Sequence, residues 1–403
     1  MGDFYQNGLV TTLTDMKNRP IEDLEAELLR FSSQRPMGLI IPSLYSELEN
    51  EALATIVDEL CKVTYLSEVI IGLDRATEKE FHHAREYFSR LPQNHRILWH
   101  DGPRLMALDK QLKDLKLEPD QMGKGRNAWY CFGYLLGSGK SEAIALHDAD
   151  IITYNRSMLA KLLYPVANPN FNYRFCKGYY YRADQEHIKG RVVRLLVTPL
   201  LRALKKFFGP TEYLEYLDSF RYPLAGEFSM RADVLKTIRI PSDWGLEIGI
   251  LSEVHRNNST NRICQVEIAD RYDHKHQELS ADDPSKGLSK MVYDIAMAIF
   301  IKLAQNGVTF SPGTFRSIRS TYFRIGLDFV EQYSALSRFN GFKYDRNQEE
   351  ETVMLFSRLV YQAGEDMLNN WDYAAFIPSW RRIQSAIKDF IPEYYAAVEQ
   401  DNK

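Results

Sequence analysis

A chain of 403 residues, 45% hydrophobic and 26% charged, has enough apolar material for one large domain with an extension, or for two domains. No run of about 18 apolar residues occurs, and the N-terminus lacks a basic segment followed by an apolar core, which argues against a membrane span and an export signal. The formal net charge of -4 argues against nucleic acid as the main partner, and Cys61, Cys131, Cys176 and Cys264, without CxxC pairing, read as reduced thiols of a cytoplasmic protein.

Residues 20–33 ("PIEDLEAELLRFSS") place apolar side chains at helical spacing with acids early, as a helix start prefers. "MGLIIPSL" then reads as a buried strand and "LENEALATIVDELCKV" as an amphipathic helix. "EVIIGLDRA" and "HRILWHDG" repeat the strand pattern on either side of the helical "EKEFHHAREYFSRL". A polar, Lys-rich connection leads to the helical "RNAWYCFGYLLGSG" and a further strand, "AIALHDADI". Continuous apolar strands alternating with helices predict a mostly parallel sheet covered on both faces, with ligands bound beyond the carboxyl ends of the strands. Pro42 to Glu47, Asp74 with Arg75, and Asp148 to Asp150 lie at those ends.

Past residue 155 the alternation weakens. "NYRFCKGYYYR" suggests a strand, "GRVVRLLVTPLLRALKKFF" a long helix kinked or broken near Pro199, and "GEFSMRADVLKTI" a strand passing into a helix. "GLEIGILSEVHRN" reads as a helix and "NRICQVEIADRYDHKH" as a strand with a polar end. From about residue 284 the pattern is helical, with breaks near "NGVTFSPG" and "FNGFKYDRNQ".

Five short motifs carry chemistry. In "HDADI", Asp148 and Asp150 share a face if the strand continues, so both could approach one cation; a solvated turn would give the same triplet. "MGKGRNAW" sets Lys124 between two glycines before a helix, suited to phosphate, or else a flexible basic loop. "RYDHKH" offers His274 and His276, which are either metal ligands or a surface cluster. Arg191 and Arg194 open a helix after a glycine, as phosphate or carboxylate binders or as solvated arginines. Glu247, in an otherwise apolar helix, needs a partner, either a sugar hydroxyl or an arginine.

In this order, "LIIPSLYSELEN", "GKGRNAW", "HDADI", "KGYYYR", "GRVVRLLVTPLLRAL", "PLAGEFSMRADVL", "GLEIGILSEV" and "QVEIADRYDHKH" resemble the glucosyl-3-phosphoglycerate synthases, retaining glycosyltransferases of the GT-A fold. The resemblance implies an α/β GT-A domain over 36–285 (a nucleotide-sugar half to about 155, then an acceptor half). An N-terminal helical segment (1–35) would precede it and a helical C-terminal extension (286–403) follow it. It implies that Pro42, Ser43, Leu44 and Glu47 hold the base and ribose of the donor, with Asp74 and Arg75 near the base. Lys124 would stand near the diphosphate with Asp148 on the donor side. Asp150 and His274 would ligate Mg2+ or Mn2+, Leu224 and Ala225 would line the sugar pocket, and Glu247 would bind sugar hydroxyls. Arg191, with Val193 and His276, would face the acceptor.

The implied reaction transfers glucose from UDP-glucose or GDP-glucose to the 2-hydroxyl of 3-phosphoglycerate, in a cytoplasmic homodimer. Departures from the family pattern are Tyr45 and Ser46 in the first loop, Val193 for threonine, Trp244 for tyrosine and His276 for asparagine. The rival readings are mannosyl transfer from GDP-mannose, a sugar nucleotidyltransferase, and a non-catalytic binding protein.

Overall fold

The computed structural model describes residue 6 and residues 8–119, 122–274, 287–369 and 376–403. Its strands, in chain order, are β1 (Thr11–Leu13), β2 (Met37–Leu44), β3 (Leu66–Asp74), β4 (His95–Trp99) and β5 (Ala143–Leu146), then β6 (Phe175–Tyr179), β7 (Phe228–Arg231), β8 (Ile240–Pro241), β9 (Ile263–Glu267) and β10 (Phe376–Ile377). Eight form one sheet in the order β1-β9-β6-β7-β5-β2-β3-β4, while β8 and β10 pair separately. All pairings in the large sheet are parallel except those of β7, which runs antiparallel to both β5 and β6. The mostly parallel sheet expected from the sequence is therefore present.

The apolar runs are continuous because both faces of the sheet are buried. Met37, Leu39 and Ile41 of β2 and Val69, Ile71 and Leu73 of β3 enter one core, whereas Ile40 and Ile70 enter the other. On the first face lie the helices Ile21–Phe31, Glu51–Leu60, Glu78–Phe88 and Arg156–Ala167; Lys124–Ser138 covers the second. The connection read as polar and Lys-rich contains a helix, Pro103–Asp114, which buries Leu105, Leu108 and Leu112. Its apolar stripe is one residue wide, too sparse to stand out among the lysines. The segment before residue 20 adds β1 to the sheet edge beside β9, and three residues leave too little periodicity to show in sequence.

The C-terminal helices Gly287–Gln305, Pro312–Phe339, Arg346–Asn369, Trp380–Ala386 and Phe390–Asp401 share the second core with the sheet. Trp380 stacks on Trp129 at 4.1 Å between centroids, and its indole N–H donates to the Trp129 carbonyl at 2.9 Å. Gly133 makes room for this ring, since a Cβ there would lie 2.0 Å from it. The end of the chain closes the exposed edge of β4: Asn402 pairs its side-chain amide with both backbone groups of Ile97 at 2.9 Å. An unpaired edge strand invites association with other chains, and this amide occupies two of its groups. Among the described residues, no helix is long and apolar enough to cross a membrane.

Candidate active site

The sheet changes direction at β7, and a cleft of about 330 Å³ opens there, lined by residues that follow β5, β6 and β9; the ends of β2 and β3, where the sequence led us to expect the donor base, are not among its lining residues. Lys124 is the first residue of its helix. A Cβ at Gly125 would sit 2.1 Å from the Pro241 carbonyl, so glycine lets the helix start press directly on β8 and fixes where Lys124 emerges. Lys124 Nζ lies 2.6 Å from Asp148 Oδ1 and 3.2 Å from Glu247 Oε1. Glu247 occupies the first turn of the helix Leu246–Asn257, where the helix dipole favours a carboxylate. Burial alone would lower the Lys124 pKa, but Asp148 and then Glu247 outweigh it and raise the pKa above the usual lysine value. The ammonium is thus held charged between two acids.

This cluster leaves no space for a side chain at Gly226. A Cβ there would lie 2.2 Å from Asp148 Oδ2 and 2.8 Å from Lys124 Nζ. Gly226→Ala is therefore expected to displace both groups and lower kcat by about 10²-fold, measured by initial rates on protein shown by circular dichroism to be folded.

Asp148 and Asp150 do not share an extended face, because β5 ends at Leu146. Asp148 turns to Lys124, whereas Asp150 Oδ2 lies 3.5 Å from His274 Nδ1. The backbone explains that meeting: Ile151 and His274 form an antiparallel bridge, and the Ile152 N–H donates to the Asp273 carbonyl at 2.9 Å. Burial would raise the Asp150 pKa; His274 and Lys124 overcome it and hold the carboxyl below its ordinary value.

Beneath the cluster, Glu227 is fully buried and accepts hydrogen bonds from Tyr180 at 2.7 Å and Tyr272 at 2.8 Å. The two phenol rings stack 3.8 Å apart, and burial followed by Asp148 raises the Glu227 pKa. Lys177, also fully buried, donates to the Ala225 carbonyl at 2.6 Å; burial pushes its pKa down to about 8.

The opposite wall begins at Gly190, whose φ of 72° belongs to glycine's left-handed region. A helix follows, with a π turn over Val193–Val197 and then Thr198–Phe208, whose first turn carries Pro199. Arg191, Val193 and Arg194 line the cleft with Tyr222 and Leu224. Glu349, from the helix Arg346–Asn369, binds Arg194 through two bonds of 2.9 and 3.3 Å and Arg191 Nε at 3.1 Å. Both Glu349 and Arg194 keep only 7% of their side-chain surface exposed. Removing one member of a buried pair strands the other charge, so Glu349→Ala is expected to destabilise the fold by about 3 kcal/mol, read from urea unfolding.

The glucosyl-3-phosphoglycerate synthases of Persephonella marina and Methanococcoides burtonii are 42% and 40% identical to the chain, each over 100% of it and over 99% and 98% of their own lengths. The chain belongs to the glucosyl-3-phosphoglycerate synthase family. Among solved structures, a mannosyl-3-phosphoglycerate synthase from Rubrobacter xylanophilus superposes with a TM-score of 0.54 at 21% identity, over 75% of this chain and 84% of that one. The glucosyl-3-phosphoglycerate synthase of Mycobacterium tuberculosis in complex with Mn2+, UDP-glucose and phosphoglyceric acid gives 0.52 at 19% identity, over 75% and 89%. These likenesses establish the GT-A-like fold. No family model matches the chain.

The synthase fold brings Lys124, Asp148, Glu247 and His274 into one cleft with Leu224, Arg191 and Val193, while Asp150 is not among the lining residues and adjoins the cleft through His274. Ala225 is buried behind Leu224, contributing its carbonyl to Lys177. Pro42, Ser43 and Leu44 end β2, and Asp74 ends β3 beside them. Asn127 fixes Asp74 by a 3.1 Å bond to Oδ2, while Asp74 Oδ1 is buried without a hydrogen-bond partner. Arg75 follows with a φ of 56°, a strained value for a residue with a side chain. Glu47 is buried and accepts from Asn50 at 2.7 Å, so it shapes the first loop from within. His276 lies outside the described residues.

The sequence reading did not single out Glu227, Tyr180, Tyr272, Lys177, Arg182 or Glu349. A buried acid and lysine inside apolar strand segments were the available signals for Glu227 and Lys177. Glu349 carried none, being one acid in the run "QEEET".

Proposed function

We propose that this protein transfers glucose, with retention, from a nucleoside diphosphate glucose to the 2-hydroxyl of 3-phosphoglycerate, giving glucosyl-3-phosphoglycerate. The observation that carries the reading is the division of the cleft. Part of its lining is Lys124 and His274, with Asp150 against His274, suited to a diphosphate, and part is arginines suited to a small anionic acceptor. Full-length relatives bear the same function in their names, and the solved mycobacterial relative holds Mn2+, UDP-glucose and phosphoglyceric acid.

A divalent cation fits the residues present. Asp150 offers a carboxylate oxygen and His274 an imidazole nitrogen on adjoining backbone segments. Among the described residues, no group of three His, Cys, Asp or Glu side chains completes a metal cage, which leaves the remaining positions to donor phosphate oxygens. Such an ion, when bound, neutralises charge growing on the leaving diphosphate. Lys124 supplies a second positive charge toward the same oxygens. Glu247 is already engaged by Lys124, which suits it to orienting sugar hydroxyls and makes it a poor nucleophile. The acceptor hydroxyl therefore attacks from the face the diphosphate leaves, and the leaving oxygen takes its proton.

In this reading residues 36–285 perform the transfer and 286–403 close the acceptor side. UDP-glucose and GDP-glucose are both proposed donors, and a homodimer is the proposed assembly, checked by sedimentation. The deciding experiment incubates the protein with Mg2+ or Mn2+, 3-phosphoglycerate and, in turn, UDP-glucose, GDP-glucose and GDP-mannose, and identifies the product by NMR. An α-linked glucosyl product is expected. A mannosyl product alone, or donor hydrolysis without acceptor transfer, would refute the reading.

A further inference from the structure

The cations lining the cleft are not equally satisfied. Lys124 is paired with Asp148 and Glu247, Lys189 with Asp184 at 2.7 Å, and both Arg191 and Arg194 with Glu349. Arg182 lines the same cleft, and among the described residues no carboxylate reaches its guanidinium; its Nε is buried with no hydrogen-bond partner. Its side-chain neighbours are phenols, those of Tyr222, Tyr180 and Tyr272. Glu227 lies behind those rings, but its two oxygens already accept from Tyr180 and Tyr272.

The backbone holds Arg182 firmly. One side bridges to Tyr272, two residues before His274, and its carbonyl accepts from the Lys189 N–H at 2.8 Å, one residue before Gly190. A tight hairpin, with Ala183 bridged to Ile188, joins the two. Arg182 is thereby fixed between the His274 segment and the helix start that carries Arg191. A guanidinium in a cleft with no carboxylate beside it among the described residues is suited to binding an anion, because a partly desolvated charge is most stable when paired.

We infer that Arg182 grips an anionic group of the acceptor, its carboxylate or phosphate, beside Arg191 and Arg194, which Glu349 holds in place. This rests on the proposed acceptor and names the group that recognises it.

The test is steady-state kinetics of wild type, Arg182→Lys and Arg182→Gln, with acceptor varied at saturating donor and then the reverse. Roughly a tenfold or greater rise in KM for 3-phosphoglycerate is expected for Arg182→Gln and a smaller rise for Arg182→Lys, with donor KM within about twofold. Glycerol 3-phosphate and glycerate, lacking the carboxylate and the phosphate, separate the two anions. A penalty kept with glycerol 3-phosphate and lost with glycerate assigns the phosphate, and the reverse assigns the carboxylate. An acceptor KM for Arg182→Gln within about twofold of wild type would overturn the inference.

Should Arg182→Gln fail to fold, thermal protection by inorganic phosphate and by glycerate decides. Weaker protection of Arg182→Lys than of wild type by either anion supports the inference, and equal protection by both overturns it. A wild-type protein inactive toward 3-phosphoglycerate would instead refute the functional reading, with the same protection comparison still deciding Arg182.

Discussion

Asp150→Ala is expected to lower turnover by about 10³-fold while the protein stays folded. Asp150 is partly exposed, and its charged contact is a histidine at 3.5 Å, so its loss strands no buried cation. In the proposed reading its carboxylate is one of two protein groups that would hold a divalent ion, and no third acid or histidine is grouped with them among the described residues to substitute. The measurement pairs initial rates with calorimetry of nucleoside diphosphate binding at several Mn2+ concentrations. Wild-type binding is expected to strengthen with Mn2+, and the variant's to be insensitive to it. A variant with the wild-type rate and unchanged Mn2+ dependence would remove Asp150 from the site.

Lys124→Met is expected to cost about 10²- to 10³-fold in kcat/KM for the donor. Two effects act together. In the proposed reading the diphosphate loses a cation whose pKa is raised above the usual lysine value, and Asp148 and Glu247 lose the charge that lies between them. Two carboxylates left facing one another repel, so one is expected to become protonated and the loss to be smaller at low pH than at high pH. The pH profile of kcat/KM separates this from simple misfolding, which would lower the rate at every pH. Activity within about tenfold of wild type across the range would show that Lys124 serves the fold and not the diphosphate.

These two predictions concern residues that the sequence already marked, and the reason is local. Lys124 sits between glycines at a helix start, and Asp150 follows an apolar strand, so strand-end position and residue type are both visible within a short window. The sheet was legible for the same reason: strands buried on two faces are continuous apolar runs, as β2 and β3 are. The direction of β7, antiparallel to its neighbours in the large sheet, was not, because nothing in "FSMR" encodes it. Nor could spacing tell that Asp148 and Asp150 part company, which depends on β5 ending at Leu146 and on the bridge between Ile151 and His274.

Sequence by itself determined the fold class and marked Lys124, Asp148, Arg191, Glu247 and His274, which the fold brings into one cleft. Only the tertiary structure decided which charges meet. Lys124 and Glu247 are 123 residues apart and Arg194 and Glu349 are 155 apart, and an ion pair's existence depends on distance in space, which chain spacing does not carry at that range. Arg182 is the clearest case. Among the described residues no carboxylate stands beside it, and that becomes visible only when the side chains around the cleft are placed in space.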